Sequence, residues 1–243
     1  MQRSALLVVF FCLAIQPILA EDLPAGKNQA GSFSAGLSLT RGNSDTKNIN
    51  LTFDFAQRVN ARNVAKYNAF YLRADQGGAL TVDRTSLGAR DEFTVSPRTF
   101  AFADAQFLRD RFKEIDYLVT PTAGIGQHLI KETNLDLSVE GGAGIALEKD
   151  SGLDRQTSGA LQARQVLTWK FSPTATFGET AAGLWKTKDF GDALYHVEAS
   201  LASNLTARSQ LKLSALDDYK TKPPAAGIKK NDISIIAAVV MKF

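Results

Sequence analysis

The sequence predicts an all-β protein: a closed antiparallel transmembrane β-barrel of about twelve strands, of the outer-membrane type. Three observations predict it. Apolar and polar residues alternate with period two, tight turns alternate with longer polar connections, and the chain stops at Phe243 inside an alternating segment. Such alternation gives each strand one apolar and one polar face. Because lipid offers no hydrogen-bond partners, a sheet that spans a membrane must close on itself.

Composition excludes several classes of protein. A hydrophobic share of 44% is too high for a disordered chain, and a mean hydropathy of −0.11 is too polar for a helical membrane protein. The formal net charge of +3 argues against a nucleic-acid partner, which would need a basic face. The single cysteine is Cys12, so a chain that has lost its first twenty residues would have no disulfide and no thiol nucleophile.

The first twenty residues have the layout of a secretory signal peptide. Arg3 precedes an unbroken apolar run from Ala5 to Ile15, which is too short to span a membrane as a helix. We expect a cleaved signal peptide over 1–20, a short periplasmic segment over 21–30 and the barrel over 31–243, in the bacterial outer membrane. A membrane-anchoring helix at the N-terminus is the alternative.

Twelve segments carry the strand pattern. It is clearest at 135–148 and 231–243, and weakest at 64–73, 99–109 and 175–185, where apolar residues fall on both faces. A secreted β-sandwich, which also alternates, is the alternative fold. The predicted strands are 32–41, 48–58, 64–73, 83–94, 99–109, 116–128, 134–147, 156–171, 175–185, 193–203, 209–219 and 231–243.

The connections between these segments alternate in length. An even number of strands puts both termini on the side of the tight turns, which in outer-membrane barrels is the periplasm. Aromatic residues gather near the strand ends, as interfacial girdles do: Tyr67, Tyr71, Phe93, Phe107, Tyr117, Trp169, Phe171, Trp185, Tyr195, Tyr219 and Phe243. The tight turns are 60–62, 96–98, 131–133, 172–174 and 207–208, and the longer connections are 42–46, 74–82, 110–114, 149–155, 186–192 and 220–230.

The last strand reads as an assembly signal. Val239, Met241 and Phe243 share its apolar face, and bacterial outer-membrane barrels commonly end in such a strand. We expect it to engage the barrel-assembly machinery. Outer-membrane lipid and lipopolysaccharide are the other expected partners, and the oligomeric state stays open.

If the apolar faces point outwards, charged residues of both signs line the lumen. They either leave a selective passage or pair and plug it. Inward Gly88, Gly124, Gly126, Gly142 and Gly144 favour some open space. The predicted lumen-lining residues are Asp54, Arg58, Arg90, Glu92, Asp104, Asp136, Glu140, Arg164, His196, Glu198 and Lys212.

Catalysis and metal binding have weak support. His196, Glu198 and Ser200 share one face of a strand, but neighbours on such a face are about 7 Å apart, too far for direct hydrogen bonds. Asp217 and Asp218 are adjacent, so their side chains point to opposite faces of a strand. We therefore expect no enzyme activity, no cofactor and no metal.

Three segments resemble one known family, the YdiY-like salt-induced outer-membrane proteins (domain of unknown function 481). They are 36–46 with its Gly42-Asn43-Ser44 turn, 116–130 with Gly124-Ile125-Gly126, and 137–144. Val119-Thr120-Pro121 departs from the family pattern, where a basic residue is expected. The resemblance implies an outer-membrane barrel and a link with salt or osmotic stress, and it supplies no catalytic residues.

The leading functional hypothesis is passive passage of small polar solutes or ions. A closed-lumen structural or docking barrel is the alternative, and an outer-membrane hydrolase using His196 comes third. Outer loops of about 5–13 residues are too short for a folded plug.

Overall fold

The alternating segments pair with their neighbours along the chain, and the first strand pairs with the last. The computed structural model describes residues 23, 27–40, 46–111, 114–223 and 230–243. All pairs are antiparallel and the sheet is a closed barrel, which confirms the predicted fold and strand number. The strands are β1 (Gln29–Thr40), β2 (Thr46–Arg58), β3 (Asn63–Gln76), β4 (Ala79–Thr94), β5 (Thr99–Asp110), β6 (Ile115–Lys131), β7 (Leu135–Asp150), β8 (Gln156–Lys170), β9 (Ala175–Lys186), β10 (Asp189–Asn204), β11 (Ser209–Lys220) and β12 (Asn231–Lys242).

Two predictions concern residues that the structure does not describe. The signal peptide and the Gly42–Asp45 turn lie outside the described residues. Among the residues that are described, none belongs to a helix long and apolar enough to cross a membrane.

The two ends of the barrel differ in their connections. We name the end that holds the start of β1 and the end of β12 the proximal end. Its five connections are 59–62, 95–98, 132–134, 171–174 and 205–208. The distal end holds the connections 41–45, 77–78, 111–114, 151–155, 187–188 and 221–230.

The prediction of long distal loops is wrong at two hairpins. The predicted connection 74–82 shrinks to Gly77 and Gly78, whose φ angles of 59° and 81° suit a two-residue hairpin. The predicted connection 186–192 shrinks to 187–188. Polar residues before each turn hid the strand ends, because hydrogen bonding between strands continues regardless of side-chain polarity.

The barrel closes at a short seam between β1 and β12. Phe243 exchanges two backbone hydrogen bonds with Gly31, with N–O distances of 3.1 and 3.0 Å. Its ring lies against Gly31, where a Cβ would overlap it, and stacks on Phe53 with ring centroids 6.4 Å apart. The terminal residue therefore seals the seam, while its recognition by assembly machinery stays a prediction.

The outer surface is an apolar band between two groups of aromatic residues. Ile125 and Ile235 are 68% and 75% exposed, which water would disfavour and lipid would not. Tyr195 contacts both Trp185 and Tyr219 at the distal side of the band. At the proximal side lie the stacked pairs Phe53–Phe55 and Phe55–Tyr67 and the tilted pair Trp169–Phe171.

Candidate functional site

The proximal half of the barrel encloses a chamber. Its volume is about 1110 Å³, and its lining runs from the proximal turns to Phe70, Leu216 and Ile236 at the deep end. Most of the predicted lumen residues line it: Asp54, Arg90, Glu92, Asp136, Glu140, Arg164, Glu198 and Lys212.

The other three predicted lumen residues lie elsewhere. Asp104 and His196 are buried inside the barrel, away from the chamber lining. Arg58 is exposed at the proximal end of β2.

An ion-pair cluster of chamber-lining residues bridges the interior of the barrel. Arg90 on β4 donates to both oxygens of Glu140 on β7, at 3.1 and 2.7 Å, and Arg164 donates its Nε–H to Glu140 at 2.8 Å. Strands β5 and β6 lie between β4 and β7, so this bond bridges the interior as a chord. A bidentate guanidinium–carboxylate pair is among the stronger polar contacts in proteins.

Aromatic rings fill the space beneath this cluster. The Arg90 guanidinium lies 4.2 Å from the centroid of the Phe102 ring and 5.8 Å from that of Phe100. A Cβ on Gly126 would overlap the Phe100 ring, and one on Gly124 or Gly142 would crowd the Phe102 ring. The expectation that inward glycines leave open space is therefore wrong here, because they make room for β5 side chains.

Gly88 and Gly144 leave no space either. A Cβ on Gly88 would overlap the side chains of Asn68 and Gln106, and one on Gly144 would overlap the Pro121 carbonyl. These two glycines allow close packing of side chain and backbone.

The distal half of the interior is packed. One apolar cluster contains Leu108, Ile115, Leu118, Ala146, Ala160, Leu184 and Leu194, and a second contains Phe70, Leu72, Ala74, Val82 and Leu216. A water-filled pore would wet its lining. Instead, six strands each carry a described inward side chain that is at most 2% exposed: Arg84, Leu108, Leu118, Ala146, Ala160 and Asp218.

A second ion-pair cluster lies at the distal end. Glu148 on β7 pairs with Lys186 and, at 3.0 Å, with Lys220 on β11; Lys186 also pairs with Asp192 at 2.8 Å. The sequence does not predict this cluster, because the predicted connections 186–192 and 220–230 take in Lys186 and Lys220 although the period-two pattern continues through both.

The candidate hydrolase set does not assemble. His196 is 3% exposed, and its Nδ1 lies 2.6 Å from Asp218 Oδ1, its cross-strand neighbour. Glu198 binds Lys212 at 3.1 Å and accepts a hydrogen bond from Ser214 at 3.0 Å, while Ser200 lines the chamber. The sequence offers Asp218 only as a candidate metal ligand beside Asp217 and does not predict its pairing with His196.

The part of the chain that the structure describes contains no cluster of metal-binding side chains. There, no group of three or more His, Cys, Asp or Glu side chains could hold a metal ion. Asp218 is fully buried inside the barrel, whereas Asp217 belongs to the opposite face of β11.

Comparisons with known proteins agree with this architecture. The chain matches the family described as a protein of unknown function, DUF481, over residues 33–243. No curated protein matches it.

Solved structures with the same fold are outer-membrane barrels. An outer membrane channel (COG4313) from Pseudomonas putida F1 has a TM-score of 0.56 at 14% identity, covering 95% of this chain and 100% of that one. The NanC porin has a TM-score of 0.54 at 9% identity, covering 87% and 98%. The translocator domain of the autotransporter NalP from Neisseria meningitidis has 0.51 at 14%, covering 88% and 87%.

Proposed function

The chain belongs to the DUF481 family, and from that premise we propose a non-enzymatic barrel of the bacterial outer membrane that admits small polar solutes into its chamber. The chamber opens towards the periplasm, and the packed distal half closes the barrel towards the outside. The observation that carries this proposal is the chamber of about 1110 Å³ that ends at Phe70, Leu216 and Ile236.

The apolar outer band and the aromatic groups at its two edges support the membrane location. The proximal position of the start of β1 and the end of β12 supports an orientation with the proximal end in the periplasm, since strand number is even. The polar chamber favours a solute-holding role over a purely structural one, because a structural barrel gains nothing from unfilled space.

Passive passage through the barrel is the second candidate. It is favoured because side chains, and not a folded segment, close the described distal half. Side chains close the described distal half, including Leu72, Leu118 and the Glu148–Lys220 ion pair. Side-chain rotamers change far more readily than a folded segment moves. A link with salt or osmotic stress stays a prediction from the family resemblance.

Single-channel conductance tests the proposal. The refolded wild-type barrel in a planar bilayer should give no discrete current steps. The inward triple variant Phe70→Ala/Leu72→Ala/Leu216→Ala, which trims the apolar cluster at the deep end of the chamber, should give such steps. The matched control, Leu87→Ala/Leu201→Ala/Leu213→Ala, trims exposed side chains of the outer face and should stay silent.

Steps in the wild type at the same voltage would decide against the proposal, because they would establish an open lumen and make passive passage the better-supported function. Silence of the inward triple variant, with heat-modifiable migration retained, would leave the closed distal half standing and assign the closure to other distal side chains, such as Leu118 and the Glu148–Lys220 pair.

A further inference from the structure

Charge is distributed unequally between the two ends of the barrel. Each of the five proximal connections contains or adjoins an exposed basic residue, and Lys27 precedes β1. In these connections and their flanking strand residues, all of them described, Glu132 is the one acidic residue. Described distal connections mix both signs, as in the Lys222–Asp189 pair. The exposed proximal basic residues are Lys27, Arg58, Arg62, Arg98, Lys131, Lys170 and Arg208.

Part of this basic ring faces the chamber. Lys27, Lys131, Lys170 and Arg208 line its mouth, whereas Arg58, Arg62 and Arg98 lie outside the lining. We call the first four residues the basic mouth.

Deeper charges in the chamber are balanced. Lys66 pairs with Glu92 at 3.3 Å, Lys212 with Glu198 at 3.1 Å, and Glu140 binds both Arg90 and Arg164. At the mouth, Lys131 donates to the Pro97 carbonyl at 3.0 Å, and among described residues Lys170 and Arg208 have no carboxylate within ion-pair distance. Glu132 also lines the chamber and Asp136 is the cross-strand partner of Lys131, so Lys170 and Arg208 carry the excess positive charge where a solute would enter.

We infer that the chamber binds a small solute carrying two or more carboxylate or phosphate groups, and that the basic mouth recognises it. This inference rests on the chamber proposed above. A cleft with like charges along low-dielectric walls concentrates ions of opposite sign, and rings of Arg and Lys favour anions in pores. The volume of about 1110 Å³ slightly exceeds the roughly 300–1,000 Å³ of ordinary ligand pockets, so an anion of disaccharide size fits with water.

Citrate is a suitable probe, with sucrose as the neutral comparison. Isothermal titration calorimetry of the refolded barrel in non-ionic detergent should show citrate binding that weakens as salt rises, and no sucrose binding. Lys131→Glu/Lys170→Glu/Arg208→Glu should weaken citrate binding at least tenfold. Arg58→Glu/Arg62→Glu/Arg98→Glu makes the same charge change at the same end, outside the chamber, and should change the affinity less than threefold.

A second arm separates a free solute from a lipid headgroup. Phosphatidylglycerol added to the micelles should leave the citrate affinity unchanged, since lipid reaches the rim and not the chamber. Displacement of citrate by this lipid, or equal weakening in both charge-reversal variants, would overturn the chamber site in favour of a headgroup-binding rim. Equal affinity for sucrose, or no citrate binding, would also overturn it.

Failure of this inference is distinguishable from failure of the proposed function. A wild-type barrel that conducts but binds citrate through the basic mouth overturns only the closed distal half. A silent barrel that does not bind citrate overturns only the anion site. Heat-modifiable migration of every variant shows that the barrel has folded.

Discussion

The proximal and distal halves of the interior share one alternation pattern but differ in packing. In the proximal half, Asp54, Val166 and Lys212 leave a chamber between them. In the distal half, Leu108, Leu118 and Leu184 meet and exclude water. Period two therefore decides which side chains face inwards, and side-chain volume and cross-barrel pairing decide whether space remains.

The largest expected effect is at the ion-pair cluster where the halves meet. Glu140→Ala removes the carboxylate that binds both Arg90 and Arg164 most closely and leaves them only the more distant Asp104, at 3.7 and 4.0 Å, as a shared partner. Breaking a buried pair costs about 3–5 kcal/mol. Urea unfolding in detergent should show this loss, with Glu132→Ala at an exposed turn as the control. Equal urea midpoints for Glu140→Ala and Glu132→Ala would mean that water screens the charges of the Glu140 cluster.

Trimming an apolar side chain in each half sharpens the comparison. Leu118→Ala should lower the free energy of unfolding by about 2–5 kcal/mol, because the packed distal half cannot refill the cavity. Val166→Ala at the chamber lining should cost below about 1 kcal/mol, because that side chain already borders open space. Similar losses in the same urea titration would argue that the chamber collapses around small side chains.

Adding a methyl group tests the filled glycine positions. Gly126→Ala should cost about 1–3 kcal/mol, because the new Cβ overlaps the Phe100 ring. Gly141→Ala is the matched control on β7, where the nearest atom to a Cβ is the Gln162 carbonyl oxygen at 3.9 Å. Thermal unfolding in detergent measures both, and a larger loss for Gly141→Ala would contradict the assigned packing.

The smallest effect is expected at the chamber's partly exposed ion pair. The Lys212 side chain is 32% exposed, so Lys212→Ala should change stability by about 0–1 kcal/mol, less in high salt. Urea midpoints at low and high salt give the comparison. A salt-independent loss as large as that of Glu140→Ala would show that Lys212 lies in a drier site than its exposure indicates.

Much of the fold was predictable because alternation is a local property. Segments 135–148 and 231–243 read correctly from sequence since one face of each is uniformly apolar. The β5 segment was also predicted as a strand, at 99–109 against the observed Thr99–Asp110, but its inward face was not, because Phe100 and Phe102 alternate with alanines. Only the glycines on β6 and β7 show which face of β5 fits inside.

The interior contacts were less predictable, since they join strands that are not neighbours. Arg90 and Glu140 were both placed in the lumen from sequence, but their bond depends on the curvature of the closed sheet and on the glycines between them. The His196–Asp218 pair was accessible in principle, because the two residues are direct partners in the β10–β11 register.

The position of β7 has a mechanical consequence. Glu140 ties β7 to β4, and Glu148 ties it to β11, so two chords run from one strand to two different parts of the wall. A hollow cylinder of sheet flattens easily under sideways compression, whereas internal ties fix the shape of its cross-section. Sideways compression of the barrel is therefore resisted by two carboxylates on a single strand.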